Sequence, residues 1–415
     1  MKKLTQRKYI NSLVFLFVAV YFVSYITRIN YGAVLVEIIA EKGITKTSAS
    51  WVVTGSSITY GIGQLISGYL GDKVKPQLLI ICGLVTTAVM NLLFPFCSYG
   101  VMIAVWCVNG LAQAMMWPPI VKLMTSYLTT EDYKKGSIKV SWGSSIGTIA
   151  VYLLAPVVIG VSSWKSVFYI CGLTAAVMVL VFKILFDKIT SYAEYVEIEY
   201  EKANEVQGKM SVGGIVIFIF AMAGLGIILQ GVLRDGITTW MPTYISDVYH
   251  LGSKVSILTG VVLPIFSIIS FQVSSMVYRT WLRNEFVCAG VIFFVGFISA
   301  LILAISKSSN AVVSVVLSAL ITGCMHGVNV MLICMLPPYF EKYGKVSLVS
   351  GALNACTYIG AAVSTYGMAV ISDKFGWEAT IVSWTVTAFL GTVVCLATAK
   401  TWKKFKKETI KELSQ

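Results

Sequence analysis

The sequence predicts an all-α membrane protein with twelve transmembrane helices in two six-helix parallel repeats. The first observation is composition: of 415 residues, 57% are hydrophobic and 12% are charged, whereas soluble domains carry about 25% charged residues. The second is that the apolar residues fall into separate runs of roughly 20 residues, enough for a helix to cross a bilayer. The runs lie near residues 10–39, 48–70, 77–96, 101–124, 137–160, 166–186, 212–245, 254–277, 286–306, 311–335, 346–371 and 377–399.

Positive charge is distributed unevenly between the loops. The chain has 32 Lys and Arg residues and a formal net charge of +13. If the N-terminus is cytoplasmic, most of these residues lie in cytoplasmic segments, as the positive-inside rule requires. The distribution predicts that both termini are cytoplasmic and that the basic run 403–407 contacts anionic lipid. The charge therefore indicates orientation in a bilayer and no nucleic-acid partner.

Cysteine and histidine are too scattered for a metal site or a disulfide framework. The nine cysteines are spread through the apolar runs, none forms Cys-x-x-Cys, and the chain has only two histidines. Cysteines in such runs behave as small hydrophobic side chains. The sequence contains no obvious nucleophile–base pair, so we expect neither an enzyme nor a bound cofactor.

A glutamate-rich polar segment near the middle of the chain separates the runs into two sets of six. The predicted organisation is an N-terminal six-helix bundle (1–186), a cytoplasmic central loop (187–211), a C-terminal six-helix bundle (212–400) and a basic cytoplasmic tail (401–415).

Features of the first half recur in the second. Trp117-Pro118-Pro119 ends the fourth run and Leu336-Pro337-Pro338 ends the tenth, while Trp164 and Trp377 precede the sixth and twelfth runs. Six spans return the chain to its starting side, so the halves have the same topology. Such parallel repeats are related by an axis along the membrane normal, and the substrate binds between them near the midplane.

Arg28 and Arg234 lie at similar points of the two halves, each inside an apolar run. Guanidinium stays protonated at physiological pH, and holding it at membrane depth costs several kcal/mol without water, an anion or a partner. Its fork of donors suits phosphate or carboxylate, so we expect the two arginines to bind an anion. The alternative is a structural salt bridge to Asp235. Adjacent helical residues point about 100° apart, which argues against an Arg234–Asp235 pair.

Other polar and aromatic residues occur at helical spacing inside the runs. Lipid cannot satisfy their polar groups, so we expect them to face the interior of the bundle. Those expected to bind the substrate are Tyr25, Tyr60, Gln64, Gln113, Trp117, Gln230, Asn354 and Tyr358. The alternative is that they connect helices through hydrogen bonds worth about 1 kcal/mol each. His326 is a candidate proton carrier or a packed, hydrogen-bonded side chain.

The loop after the second run, Gly68-Tyr-Leu-Gly71-Asp72-Lys73-Val-Lys75, combines small residues with charges. Small residues let helices approach each other closely, and Asp72 can cap a helix end or pair across it. We therefore predict a gating motif formed by Gly68, Gly71, Asp72 and Lys73.

This loop resembles the signature of the major facilitator superfamily, and twelve runs in two halves fit that family over the whole chain. A narrower resemblance is to the organophosphate:phosphate antiporters. Arg28 among tyrosines looks like their first substrate arginine, and Leu233–Tyr244 looks like the segment that carries their second. Gly110–Pro119 is similar to their fourth helix. Two further motifs also fit, Tyr60-Gly61 and Lys135-Gly136 with Trp142.

The resemblance implies the major facilitator fold and a secondary active transporter. It would move a small organic anion, such as a sugar or glycerol phosphate, in exchange for inorganic phosphate by alternating access. The resemblance adds Trp142 to the expected substrate-binding residues. It places the protein in the plasma (bacterial inner) membrane as a multi-pass protein, with the anionic substrate and the lipid bilayer as partners, and we expect a monomer.

Two positions depart from the family pattern. Gln64 stands where many members have a lysine, and Ile146 stands where they have a histidine linked to substrate binding. Both changes remove a cationic or donor group. They favour an alternative, a proton- or sodium-coupled carrier for a carboxylate such as a sugar acid, because a singly charged anion needs fewer donors. A second alternative is a transporter-like sugar-phosphate sensor.

Overall fold

The computed structural model of the chain describes residues 2–44, 46–195, 214–250, 253–306, 310–343 and 345–413. Nearly all of these residues are helical, which confirms the predicted all-α class. The helices of the first half are α1 (Arg7–Ala33), α2 (Leu35–Lys42), α3 (Lys46–Lys73), α4 (Pro76–Leu93), α5 (Tyr99–Gln113), α6 (Trp117–Tyr127), α7 (Thr130–Val161) and α8 (Trp164–Thr190). Those of the second half are α9 (Gly214–Tyr249), α10 (Ser253–Thr280), α11 (Glu285–Ile305), α12 (Ala311–Asn329) and α13 (Val346–Leu413), which is interrupted at Gly376, where φ is 79°.

The chain folds into two compact units. The first contains Met1–Ile198 together with Phe340–Ala355, and the second contains Glu199–Tyr339 together with Cys356–Gln415. The start of α13 therefore belongs to the first unit, although it follows most of the second unit in sequence. Within the predicted central loop 187–211, α8 continues to Thr190, and residues 196–211 lie outside the described ranges.

Eleven helical stretches in the described part of the chain are long and apolar enough to cross a membrane. They include α5 and α6 as one span, and α13 as two. The predicted span 48–70 corresponds to α3, a helix of 28 residues whose Ser, Thr and Gln residues lower its hydropathy. The protein is thus a multi-pass membrane protein in which α3 is the most polar of the predicted spans.

Both halves contain a helix that is interrupted ahead of paired prolines. In the first half, α5 ends at Gln113 and α6 begins at Trp117. In the second half, α12 passes into a π-helical turn, Val330–Cys334, and a 3-10 helix, Pro337–Tyr343, follows. Proline lacks an N–H group and its ring clashes with the carbonyl group four residues earlier, so a regular α-helix does not continue. The repeated motif in the sequence therefore produces a repeated interruption of the backbone.

Aromatic side chains fill the first unit at the end where α1 finishes. Phe94 and Phe168 stack with their ring centroids 4.6 Å apart, and the Trp106 ring lies 4.8 Å from Phe94. Such pairs contribute about 0.5–1.5 kcal/mol beyond the burial of their surface. Trp164 packs on Phe168 and donates its Nε1–H to Glu41 at 2.6 Å.

Glu41 lies in α2 and connects this aromatic cluster to a charged neighbour. Lys165 Nζ is 2.8 Å from Glu41 Oε1. Hydrogen bonds from Lys165 and Trp164 hold the pKa of Glu41 below its ordinary value of 4.5, because they stabilise the ionised carboxylate.

The N-terminal residues are held in the first unit. The strand β1 (Lys2–Lys3) pairs antiparallel with β2 (Glu194–Tyr195). The buried Lys3 donates from Nζ to the carbonyl oxygens of Thr125 at 2.5 Å and Leu128 at 3.0 Å. These carbonyl groups lie at the C-terminal end of α6, where a cation interacts favourably with the helix dipole. The beginning and the end of the first half of the chain are therefore tied together.

A buried carboxylate ties together one end of the second unit. Glu285, at the start of α11, is fully buried and accepts hydrogen bonds from Tyr278 at 2.5 Å, Tyr339 at 2.8 Å and Trp402 Nε1 at 2.7 Å. Lys406 Nζ lies 3.0 Å from the same carboxylate. Because Trp402 and Lys406 belong to α13, the segment predicted as a separate basic tail (401–415) begins as a docked continuation of a helix.

Candidate functional site

Arg28 lies in α1 beside two tyrosine rings. Its guanidinium carbon is 4.3 Å from the centroid of the Tyr25 ring and 4.9 Å from that of the Tyr60 ring. Tyr25 precedes Arg28 by about one helical turn, and Tyr60 comes from α3. Cation–π contacts are worth about 0.5–2 kcal/mol each, and they restrict a long, flexible side chain. Two predicted site residues, Tyr25 and Tyr60, are therefore brought together around a third, the permanent cation Arg28.

Two tryptophans of the first unit carry buried donors. Trp117 packs against Tyr21 at 5.3 Å between ring centroids, and Tyr21 packs against Tyr25 at 5.2 Å. The Nε1 atoms of Trp117 and of Trp142 in α7 are buried and have no hydrogen-bond partner within the described ranges. An unsatisfied buried donor destabilises the fold by about 1–3 kcal/mol. Both indoles are therefore candidates to donate to a bound ligand.

Gln113 connects three helices of the first unit. Its Nε2 donates to Thr27 Oγ1 at 2.8 Å and to Thr87 Oγ1 at 3.3 Å, and its Oε1 accepts from Ser24 at 2.5 Å. The side chain is completely buried. These bonds join α1, α4 and α5. Gln113 therefore connects helices, which was the alternative to substrate binding for the polar residues inside the spans.

Gln64 in α3 is also completely buried. Its Nε2 makes a long hydrogen bond of 3.5 Å to the carbonyl oxygen of Ala114. Its Oε1 has no partner in the part of the chain that the structure describes. The backbone of Gln64 packs tightly on Gly351 of α13, because a Cβ atom there would lie 2.3 Å from the Gln64 carbonyl oxygen. The backbone of Gln64 is therefore held by its contact with α13, and its side chain is held by the hydrogen bond to Ala114.

The segment of α7 around Ile146 packs closely against α1. A Cβ atom on Gly143 would lie 2.6 Å from the Val18 carbonyl oxygen, and one on Gly147 would lie 3.0 Å from the Tyr25 Cβ. Ile146 is 45% exposed, so it is not part of this contact. The two glycines bring α7 against the tyrosine that supports Arg28.

Arg234 and Asp235 form a bidentate ion pair in α9 of the second unit. Arg234 Nε lies 2.8 Å from Asp235 Oδ1, and Nη2 lies 2.8 Å from Oδ2. The expectation that adjacent helical residues point too far apart to pair is wrong here. The Cβ directions diverge, but the long arginine side chain bends back so that its planar fork meets both carboxylate oxygens. The pair remains accessible, with side chains 17% and 27% exposed.

Gln230, one turn before Arg234, is completely buried. Neither of its amide atoms has a hydrogen-bond partner among the residues that the structure describes, and the same is true of Trp240 Nε1. The neighbouring Gly231 packs directly on α13, where a Cβ atom would lie 2.4 Å from the Thr357 carbonyl oxygen. The α9 segment around Arg234 therefore has unsatisfied polar atoms and a fixed backbone position.

Three other predicted residues are distributed along α12 and α13. His326 is half-buried in α12, where its ring makes an edge contact with Phe271 at 5.4 Å between centroids. It lies within electrostatic range of Arg234. Asn354 is buried and belongs to the first unit, whereas Tyr358 is half-buried and belongs to the second.

Asp72, in the predicted gating motif, caps the beginning of α13 within the first unit. Its two oxygens accept from the backbone N–H groups of Ser347 at 3.1 Å and Leu348 at 2.8 Å. Lys122 Nζ lies 3.2 Å from Asp72 Oδ1. An acidic cap on a helix N-terminus is worth about 0.5–2 kcal/mol. Asp72 thus joins α3, α6 and α13 through charge-assisted bonds.

The glycines of this motif make the cap possible. A Cβ atom on Gly68 would lie 2.8 Å from the Ser347 carbonyl oxygen, and one on Gly71 would collide with the Ser347 side chain. Lys73 is exposed and contacts the Tyr69 ring instead. The structure therefore places Gly68, Gly71 and Asp72 at one helix contact and leaves Lys73 outside it.

Sequence reasoning missed two charged residues near this contact. Lys122 was not linked to Asp72, and Lys3 was not linked to Glu341, although Lys3 Nζ lies 3.6 Å from the Glu341 carboxylate. The sequence feature that could have indicated the Asp72 pair is Lys122, near the end of the fourth predicted span. Such a lysine is also typical of an ordinary cytoplasmic helix end.

Comparison with protein families gives a match over most of the chain. The family model described as the Major Facilitator Superfamily matches residues 17–333. The chain is 23% identical over 407 residues to a glycerol-3-phosphate transporter of Bacillus subtilis (strain 168), covering 92% of the chain and 90% of that protein. It is 21% identical over 428 residues to a probable hexose phosphate transport protein of Chlamydia pneumoniae, covering 94% and 90%.

Among solved structures, the chain is similar to a bacterial homologue of the iron transporter ferroportin, described as outward-facing. The TM-score is 0.71 at 11% sequence identity, and the match covers 94% of this chain and 99% of the other. At this identity the likeness concerns the fold alone.

Proposed function

Because the chain belongs to the Major Facilitator Superfamily, we propose that it is a secondary active transporter of an organophosphate. The substrate class is a sugar or glycerol phosphate, exchanged for inorganic phosphate by alternating access. The observation that carries the proposal is Arg28 at membrane depth beside Tyr25 and Tyr60. A permanent cation there is costly unless it serves a ligand or a partner.

In the proposed mechanism, Arg28 binds the anion in the first unit, and Arg234 is the proposed anion-binding residue of the second unit. The tyrosine rings direct the Arg28 guanidinium, whose N–H donors match phosphate oxygens. The Trp117 and Trp142 indole N–H groups supply further donors. The negative charge of the substrate offsets the positive charge of Arg28. The occupied carrier therefore changes access state at a lower free-energy cost than the empty one. This difference favours exchange over net flux.

We infer that Asp72 stabilises one of the access states. Its carboxylate holds the N-terminus of α13 and Lys122 at the same time. A change of access state that separates α13 from α3 has to break these bonds together. The gating residues would therefore control the rate of the conformational change and have little effect on the affinity for substrate.

The names of the relatives support the substrate class. They are glycerol-3-phosphate and hexose phosphate transporters that match the chain over about its whole length. From the positive-inside pattern, we further propose that both termini are cytoplasmic. We also propose that the transporter works as a monomer in a bacterial inner membrane.

Counterflow in liposomes tests the proposal. Purified protein is reconstituted into liposomes loaded with inorganic phosphate, and uptake of labelled glycerol 3-phosphate is measured. Phosphate inside the vesicles should accelerate uptake, and empty vesicles should show little. Phosphate-independent uptake of gluconate driven by a proton or sodium gradient, without uptake of phosphate esters, would instead support the coupled carboxylate carrier.

A further inference from the structure

We propose that the groove between α1 and α8 is a binding site for one anionic phospholipid, with the phosphate of the headgroup at Lys8 and Lys188 and an acyl chain along the apolar part. The groove lies within the first unit and has a volume of about 640 Å³. The inference goes beyond the proposed function, because it concerns a molecule of the bilayer that is not transported.

The two helices run antiparallel along the groove. The Tyr9 and Tyr192 rings stack with their centroids 4.1 Å apart, and farther along the helices the Phe17 and Phe186 ring centroids are 6.5 Å apart. Residues early in α1 therefore lie level with residues late in α8. The position of a residue in its helix thus gives its position along the groove.

The groove is charged at one end and apolar at the other. Lys8 and Lys188 line it near the stacked tyrosines, whereas Phe15, Ala19 and Val181 line it farther along. Phe15 is 72% exposed, although it lies in a helix that is long and apolar enough to cross a membrane. Lipid tails are as apolar as such a side chain and can cover it. A charged end next to an apolar one matches the head and the tail of a phospholipid.

The two lysines favour an anionic lipid over a neutral one. The neighbouring Arg7 pairs with Asp132, whereas neither Lys8 nor Lys188 forms an ion pair within the ranges that the structure describes. Asp187 precedes Lys188 in α8 and is exposed. Two cations that line one groove repel each other, and a phosphate between them relieves this repulsion. Basic side chains next to a bilayer attract anionic lipids in the same way.

The length of the groove matches one leaflet of a bilayer. The distance from Lys8 to Ala19 is about 16 Å along α1, and half of the hydrocarbon core is about 15 Å thick. Tyr9 and Tyr192 lie at the charged end, and tyrosine is enriched at the membrane–water interface. With the N-terminus on the cytoplasmic side, as proposed above, the lipid belongs to the cytoplasmic leaflet.

Native mass spectrometry of the purified, delipidated protein measures the preference for charge. Phosphatidylglycerol and phosphatidylcholine with identical acyl chains are titrated separately, because their headgroups differ in net charge. The wild type should bind one phosphatidylglycerol at least tenfold more tightly than phosphatidylcholine, a difference of about 1.4 kcal/mol. In the double variant Lys8→Gln/Lys188→Gln this preference should nearly disappear.

The matched control is the double variant Lys139→Gln/Lys183→Gln. Both of these lysines are exposed in helices of the first unit, and neither lines the groove. The control removes the same charge and should keep the preference of the wild type. An equal loss in both double variants would show a general attraction to a basic surface and would overturn the proposal. Equal affinity of the wild type for the two lipids would also overturn it.

Cross-linking of the wild type locates the lipid without any substitution. Phosphatidylglycerol with a photoreactive diazirine on its acyl chain should label the segments around Phe15 and Leu185, which line the apolar part. Excess unlabelled phosphatidylglycerol should prevent this labelling, whereas inorganic phosphate, which has no acyl chain, should not. Displacement by inorganic phosphate would indicate a site for soluble anions. Labelling only of other segments would place the lipid elsewhere, and a cross-link between two copies of the chain at the groove would make it a protein interface. Each of these three results overturns the proposal.

Discussion

The Arg28 side chain shows how neighbours determine the role of a single charge. Its guanidinium lies over two tyrosine rings, whereas that of Arg234 lies against a carboxylate. Ring faces attract a cation but bring no negative charge, so these two contacts do not offset the charge of Arg28. The Asp235 carboxylate offsets the charge of Arg234. Two arginines that occupy similar places in the sequence therefore differ in their neighbours, two aromatic rings for Arg28 and a carboxylate for Arg234.

We predict that Arg28→Lys and Arg234→Lys each reduce phosphate-ester uptake more than tenfold, while the protein still inserts. Lysine keeps the positive charge but loses the planar fork of donors. The measurement is the initial rate of counterflow in liposomes at equal protein content. Arg279→Lys is the matched control, because Arg279 is exposed at the end of α10. Wild-type rates in either site variant would mean that charge alone suffices.

Glu41 allows a prediction about pH outside the spans. Its pKa is lowered by the hydrogen bonds from Lys165 and Trp164. The stabilisation is therefore complete above the ordinary value of 4.5 and is lost as the pH falls through the lower folded value. We expect a change in tryptophan fluorescence below pH 4.5 in the wild type, because Trp164 loses an ionised acceptor. Glu41→Gln should lack this step, and an identical titration of both proteins would contradict the assignment.

At the scale of elements, the contact between α3 and α13 combines a close approach with a charged cap. Gly68 and Gly71 remove the side chains that would separate the helices. Asp72 then accepts hydrogen bonds from two backbone N–H groups in the first turn of α13. N–H groups in the first turn have no carbonyl acceptor within their own helix. The same residue also pairs with Lys122. Close packing and electrostatics therefore depend on one another at this contact.

We predict that Asp72→Asn slows turnover at least several-fold and leaves the equilibrium affinity for substrate nearly unchanged. Asparagine keeps the shape but loses the charge that holds Lys122 and the helix N-terminus. Counterflow rates give the turnover, and calorimetry gives the dissociation constant. Asp187→Asn is the control, since Asp187 is an exposed carboxylate at the end of α8. A large loss of affinity at normal turnover would move Asp72 from the gate to the binding site.

Over the whole molecule, the apolar runs were sufficient to predict the helical class, and the paired prolines mark two of the places where a helix is interrupted. Both signals are local, since a span needs a certain length and a proline always removes one N–H group. The partners of buried polar residues were not predictable in this way. Gln113 and Gln64 look equivalent in the sequence, yet one joins three helices and the other retains an unpaired oxygen.

Long side chains were the other source of error. The sequence argued against an Arg234–Asp235 pair because the Cβ atoms of adjacent helical residues point in different directions. The arginine nevertheless reaches its neighbour, because several rotatable bonds separate the guanidinium from the backbone. In the sequence, Glu285 stands out only as an acidic residue near Arg279 and Arg283. Of its four partners, Tyr278 is near in sequence, whereas Tyr339, Trp402 and Lys406 lie 54, 117 and 121 residues away. Such contacts depend on the tertiary fold.

Glu285 leads to a prediction for the stability of the second unit. Glu285→Gln should lower its free energy of unfolding by about 1–3 kcal/mol, because a buried set of donors loses its charged acceptor. The thermal midpoint of the detergent-solubilised protein should fall, with substrate affinity unchanged. Glu378→Gln serves as the control, because Glu378 is exposed in α13. Equal midpoints for both variants would mean that the buried carboxylate does not stabilise the unit.

The pairing of β1 with β2 also has a consequence for biosynthesis. Lys2 lies opposite Tyr195 and Lys3 opposite Glu194, so β1 pairs only after the helices from α1 to α8 have been translated. At that moment α13, whose first turns complete the same unit, has not yet been made. The β1–β2 pairing therefore needs no residue of the second half of the chain. The gate contact at Asp72 forms only when Ser347 and Leu348 have emerged.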